Sequence, residues 1–122
     1  MKILYNHFYA MMSRMKNIYR WGLMRNTRRE NLSEHPLETA QIAHALAIIN
    51  NKRLGGNADP KKAALAAVYH DSTEIITGDM PTPIKYYNNE IKSAYKQIES
   101  AAGDSLINML PEDFKEDFKP IF

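Results

Sequence analysis

The sequence predicts an all-α fold built as a single domain over residues 1–122. Three observations carry that expectation. Apolar side chains recur at i, i+3, i+4 and i+7, the spacing of one helix face. Helix start and stop signals separate these runs. Val, Ile and Thr are too scattered for the period-two alternation of a strand. A chain of 122 residues is long enough to bury a core without disulfide or metal staples.

The elements follow in order. Residues 6–19 carry Phe8, Met11, Met12, Met15, Ile18 and Tyr19 on one stripe, the pattern of an amphipathic helix. Residues 20–32 hold Gly22 with several Arg and Asn and read as a loop. Ser33 then suits an N-cap, with Glu34 and Pro36 in the first turn, and Gly55-Gly56 stops that helix. Ile42, Leu46 and Ile49 share its stripe with His35. Asp59-Pro60 is the next start signal. The run from Ala63 to Ile76 is apolar on most faces, which predicts a buried central helix closed by Thr77-Gly78-Asp79. Pro81 and Pro83 predict an extended linker. A further helix is expected over about residues 88–106, and Pro111-Glu112 opens a last short one with Phe114, Phe118, Ile121 and Phe122 on one stripe.

Composition narrows the function. The chain has no cysteine, which excludes a disulfide scaffold, a thiolate zinc finger and a Cys nucleophile, and fits a cytoplasmic protein. No apolar run approaches the roughly 18 residues of a membrane span. The net charge of +2 hides an asymmetry: residues 1–29 hold seven basic side chains and no acid, leaving −5 for the remainder. An Arg-rich start of this kind reads as a transit peptide or as a phosphate- or nucleic-acid-binding segment.

The chemistry-bearing cluster is Tyr69-His70-Asp71-Ser72-Thr73-Glu74. On a helix, His70 and Glu74 are i, i+4 neighbours, and Asp71 and Glu74 are i, i+3 neighbours. Such a cluster among Ala, Val and Ile needs a cation or polar partners, unless it faces water. His35, in the first turn of the preceding helix, adds a second imidazole. Two imidazoles and a carboxylate suit a divalent metal with open positions, and Glu74 stands where it can exchange a proton with water. His7 and His44 fit that scheme less well and are expected to be structural.

Four segments carry a family resemblance: Arg20-Trp21-Gly22-Leu23-Met24-Arg25-Asn26, Glu30-Asn31-Leu32-Ser33-Glu34-His35, His70-Asp71 with Glu74, and Gly78-Asp79-Met80-Pro81-Thr82-Pro83 with Lys85-Tyr86. In this order they resemble the YfbR-like 5'-deoxynucleotidases among the HD-domain metallophosphohydrolases, from about residue 7 to the chain end. The resemblance implies an HD-domain helical bundle, short at its C-terminal side, that works as a homodimer. It implies removal of the 5'-phosphate from deoxyribonucleoside monophosphates with a divalent transition metal such as Co²⁺ or Mn²⁺. His35, His70 and Asp71 match the family's metal ligands, and Glu74 its catalytic carboxylate. Arg20 matches a phosphate-contacting arginine and Trp21 a bulky residue that disfavours a 2'-hydroxyl. Asp79, Met80, Pro81 and Thr82 match its substrate-contacting loop.

A fourth family ligand, an Asp on a later helix, would fall beyond Phe122. With nothing later in sequence to cover the Phe114–Phe122 stripe, two readings are open. The chain is the front portion of a longer one, which the uncovered stripe favours. Otherwise it is a short form that dimerises through the stripe. Two other function classes stand beside the hydrolase: a catalytically impaired fragment acting as a metal- or nucleotide-binding or dimerisation module, and a nucleic-acid binder using the basic start. The second is disfavoured because Arg20 and Arg25 lie inside the family-like segment and the −5 remainder repels a long polyanion.

Overall fold

The computed structural model describes residues 7–122. Asn6, the expected start of the first helix, and Lys2 of the basic segment lie outside the described residues. Among these residues the fold is helical, with no strand beyond an isolated antiparallel bridge between Tyr19 and Asn31.

Helix α1 (Phe8–Met12) tightens into a 3₁₀ turn over Ser13–Asn17 instead of running on to residue 19. Two local causes are visible. The Ser13 hydroxyl donates back to the Ala10 carbonyl at 2.9 Å, a bond that competes with regular helix. Beyond it, Ile18 turns extended because its carbonyl accepts from Leu32 N–H at 2.9 Å while Arg20 N–H donates to the Glu30 carbonyl at 2.9 Å. The apolar stripe keeps its purpose. Phe8 and Met15 are buried, and Met11, Met12 and Ile18 pack beside Met15 against Leu32 and Ile75.

Helix α2 (Glu34–Arg53) starts where expected but by another residue. Ser33 is already helical and makes no capping bond; Asn31 Oδ1 accepts from both Ser33 N–H and Glu34 N–H, each at 2.9 Å. Gly55, at φ 71°, supplies the left-handed turn that ends the helix. Asn51 then clasps Ala58 through its amide, and Asp59 caps α3 (Pro60–Tyr69) by accepting from Lys61 and Lys62 N–H. Helices α2 and α3 pack closely, with Ala40, Ala47 and Ala67 buried. The expectation that α3 is a buried central helix is overturned: only Ala67 is buried on it, and Leu65 and Val68 stay exposed.

The run from Pro60 is not one helix. It ends at Tyr69, passes through tight turns, and resumes as α4 (Glu74–Thr77). In the break, the bonds close over three residues: Ser72 N–H to Tyr69 O at 3.0 Å, Glu74 N–H to Asp71 O at 3.0 Å, and Ile75 N–H to Ser72 O at 3.1 Å. A side chain competes here too, since His70 Nδ1 donates to the Ala67 carbonyl that a continuing α-helix would have used. Pro81 is extended, but Pro83 falls in the first turn of α5 (Thr82–Lys85) rather than in a linker. Asn88 caps α6 (Asn89–Ile107), which buries Tyr95, Ala102, Leu106 and Ile107. Lys85 fastens α5 to α6 by a 3.2 Å ion pair with Glu99.

The C-terminal stripe is partly covered, where the sequence reading leaves it bare. A 3₁₀ turn at Glu112–Phe114 leads into α7 (Lys115–Phe118), which folds back on the start of the described chain. Phe8 meets Phe118 edge-on at 5.1 Å between ring centroids and Phe122 at 6.1 Å. Tyr69 lies 5.7 Å and 5.8 Å from the same two rings. This aromatic cluster draws Phe118 and Phe122 inward, while Phe114 and one side of Phe122 stay exposed, at 42% and 36%.

Candidate active site

His35, His70 and Asp71 converge. His35 comes from the first turn of α2, and the other two from the break between α3 and α4. Each can offer one ligand atom, and the three atoms lie within 4.8 Å of one another. Asp71 Oδ2 is 3.0 Å from His70 Nε2 and 3.5 Å from His35 Nε2. Both imidazoles have their other nitrogen engaged: His70 Nδ1 donates to Ala67 O at 2.6 Å, and His35 Nδ1 is 3.2 Å from Glu30 Oε1. With Nδ1 protonated on each ring, three lone-pair-bearing atoms face one point. Such an arrangement needs positive charge between them, supplied by added protons or by one cation. Two neutral imidazole nitrogens and a carboxylate suit a divalent transition metal, so the residues present fit such an ion.

Electrostatics point the same way. A hydrogen bond to Asp71 raises the His70 pKa above its usual value despite partial burial. Burial alone would raise Asp71, but its bond to His70 and the charges of His70, His35 and Arg20 outweigh this and lower it. Glu74 behaves oppositely. Burial, then repulsion from Asp71 and Asp79, push its carboxyl up to about 7, while Lys85 and Arg20 oppose the shift. Among the described residues, its Oε2 and the wholly buried Ser72 Oγ have no hydrogen-bond partner. A carboxyl poised near neutrality beside a metal-type cluster is suited to proton transfer.

A cleft of about 690 Å³ opens beside this group, lined by Arg20, Trp21, Asp79, Met80, Pro81 and Thr82 together with Tyr19, Gly22–Met24 and Pro83. Every residue expected to contact substrate is in its wall. Arg20 serves both places, since it lines the cleft and its charge acts on Asp71 and Glu74. Trp21 holds an uncommon backbone for a bulky residue, φ 58°. Asp79 Oδ2 accepts from Trp21 N–H at 3.0 Å, and Asn26 Nδ2 donates to Trp21 O at 3.2 Å. One Asp79 oxygen therefore fastens the two loops of the cleft together. A second, more polar hollow has His70, Lys96 and Asp104 in its wall. His44 is exposed along α2 and outside the cluster, as is His7 near the described N-terminus.

Glu30 is the site residue that the spacing of charged groups along the sequence did not disclose. It precedes His35 at no helical interval, and only the bridge between Tyr19 and Asn31 sets it opposite Arg20. Arg20 Nη1 donates to the same Glu30 Oε1 at 2.6 Å.

Residues 7–122 match the family described as 5'-deoxynucleotidase YfbR-like. The chain belongs to this family. A 5'-deoxynucleotidase of Vibrio parahaemolyticus is 57% identical over 115 residues, spanning 94% of this chain and 59% of that one. A 5'-deoxynucleotidase of Erwinia tasmaniensis is 53% identical over 119 residues, spanning 98% of this chain and 60% of that one. This YfbR-like chain thus spans about three-fifths of the length of these curated relatives. Its fold matches that of an HD-domain phosphohydrolase from Listeria innocua, with a TM-score of 0.82 at 21% identity over 95% of this chain and 55% of the other. The architecture is accordingly the all-α HD-domain fold. No helix among the described residues is long and apolar enough to cross a membrane.

Proposed function

We propose that the chain carries the metal-binding and phosphate-binding parts of a phosphomonoesterase that converts a deoxyribonucleoside 5'-monophosphate to nucleoside and inorganic phosphate. The observation that supports this reading is the adjacency of the His35–His70–Asp71 group and the Arg20–Trp21 cleft, joined through Arg20. Family membership and the names of the Vibrio and Erwinia relatives point the same way.

In this reading His35 Nε2, His70 Nε2 and Asp71 Oδ2 hold a divalent transition metal such as Co²⁺ or Mn²⁺. Bound there, the ion acidifies water and offsets charge on the phosphoryl oxygens. Arg20 presents its guanidinium fork to the phosphate dianion. Glu74, near neutrality, takes a proton from the attacking water as the new P–O bond forms. The bond from phosphorus to the 5'-oxygen breaks, and that oxygen leaves as the nucleoside hydroxyl with the proton Glu74 returns. Trp21 packs on the sugar and leaves no room for a 2'-hydroxyl. Met80, Pro81 and Thr82 face the nucleoside, and the other Asp79 oxygen accepts from a sugar hydroxyl.

Homodimerisation and a cytoplasmic setting belong to the same reading and rest on family resemblance. The test is phosphate release from a panel of 2'-deoxy and ribo 5'-monophosphates with Co²⁺, Mn²⁺ or Mg²⁺ added. Metal-stimulated release that favours the deoxy substrates is expected. A folded, metal-loaded sample that releases no phosphate from any of them sinks the proposal for this chain.

A further inference from the structure

Glu30 sits between the two halves of the site, and nothing above gives it a role. Its position comes from the backbone. The antiparallel bridge sets residue 30 across from residue 20, and Asn31 begins α2 so that His35 falls in the first turn. One carboxylate oxygen then receives two donors: Arg20 Nη1 at 2.6 Å and His35 Nδ1 at 3.2 Å. We propose that Glu30 is a positioning residue: through the Oε1 that Arg20 pins, it holds His35 with Nδ1 protonated and Nε2 turned to the metal position.

The argument rests on what an imidazole can do. A neutral ring has one N–H and one lone pair, and a hydrogen bond at one nitrogen decides which is which. A carboxylate can only accept from a neutral ring; Glu30 Oε1, at 3.2 Å from Nδ1, is nearer than Asp71 Oδ2, at 3.5 Å from Nε2, and so favours the proton on Nδ1 and the lone pair on Nε2. In His70 the Nδ1 proton is held by a different acceptor, the Ala67 carbonyl at 2.6 Å. The His70 acceptor is local backbone, fixed as long as the helix end is formed. For His35 it is a side chain with its own rotamers, which needs a second contact to stay in place. Arg20 supplies that contact, and the pair is only partly exposed, at 25% and 35%. Carboxylates that orient a metal-ligating histidine in this way typically carry a 10- to 100-fold effect on metal affinity.

The proposal rests on the metal-site reading above, and the experiment separates their failures. The full chain and its Glu30→Ala and Glu30→Gln variants are compared in two measurements, each on samples shown to be folded by far-UV circular dichroism. In the metal-free protein, ¹⁵N shifts of His35 report which nitrogen carries the proton. With Co²⁺ alone, a titration followed by its visible absorption reports affinity. Wild type is expected in the Nδ1–H form, and Glu30→Ala in a mixture, with Co²⁺ bound about 10-fold more weakly or worse. Glu30→Gln keeps an acceptor oxygen, so it is expected to keep the tautomer and to lose less affinity; it also serves if Glu30→Ala does not fold. An unchanged His35 tautomer and unchanged Co²⁺ affinity in a folded variant overturn the role of Glu30. Absence of Co²⁺ binding by wild type counts against the metal reading alone, since the tautomer comparison still decides the role of Glu30.

Discussion

Glu74 and Trp21 are the two residues whose surroundings work hardest against their ordinary preferences. Glu74 has a folded pKa of about 7 against 4.5 for the ordinary side chain. Between those values the folded state binds the extra proton, so stability falls as pH rises through this window and levels off above it. Replacing Glu74 by Gln removes that slope. In the metal-free protein, the stability difference between Glu74→Gln and wild type should shift towards the variant by about 2 kcal/mol between pH 4 and pH 8, read by urea denaturation. The same variant should lose turnover yet keep Co²⁺ binding; loss of the metal instead would make Glu74 a ligand. Trp21 stands at φ 58°, where a side chain with a Cβ costs about 1 kcal/mol or more relative to glycine. Trp21→Gly should therefore be more stable than Trp21→Ala by about 1 kcal/mol in thermal unfolding. Both variants should relax the preference for deoxy over ribo substrates more than they slow deoxy turnover. A deoxy-to-ribo ratio equal to wild type would remove Trp21 from selectivity.

At the scale of elements, helix positions were mostly legible, and the residues that start or break the helices less so. Asp59-Pro60 is a start signal whose chemistry is wholly local, and α3 begins there. Ser33 has the right residue type in the right place, but Asn31 reaches Ser33 and Glu34 N–H first because the bridge at Tyr19 has already fixed its backbone. Asn31→Ala should cost about 1–2 kcal/mol and weaken metal binding by loosening the turn that carries His35, whereas Ser33→Ala should cost less than about 0.5 kcal/mol. Equal losses in denaturant titrations of the two variants would contradict the assignment. The break at His70 was illegible for a similar reason. Spacing alone allows an unbroken helix from Pro60, but the His70 ring competes for Ala67 O and the chain closes into tighter turns over the next residues. That break still leaves Asp71 and Glu74 near one another, since residues three apart eclipse in a 3₁₀ turn.

For the whole molecule, the C-terminal segment is the informative part. Its aromatic stripe has no apolar partner nearby in sequence, yet Phe118 and Phe122 close against Phe8, from the start of the described residues, and Tyr69, from the end of α3. Tyr69 immediately precedes His70, so this cluster backs the site. Phe118→Ala should lower unfolding stability by about 3 kcal/mol and also weaken Co²⁺ affinity, though Phe118 is no candidate ligand. A destabilised variant with wild-type metal affinity would show that the cluster stabilises the fold without supporting the site.

The amino-acid sequence by itself determined the helical class, the start of α3, the turn at Gly55, and the residue types needed for metal and phosphate chemistry. These follow from interactions within a few residues: helical periodicity, capping and the donor atoms a side chain carries. Tertiary structure alone decided that Asn31 starts α2, that the helix from Pro60 breaks at His70, that Phe118 and Phe122 of the last stripe meet Phe8 and Tyr69, and that Glu30 touches both Arg20 and His35. Each depends on pairing across many residues, where the outcome is set by which distant group arrives with a donor or an apolar face. A pattern of residue types along the chain does not contain that information.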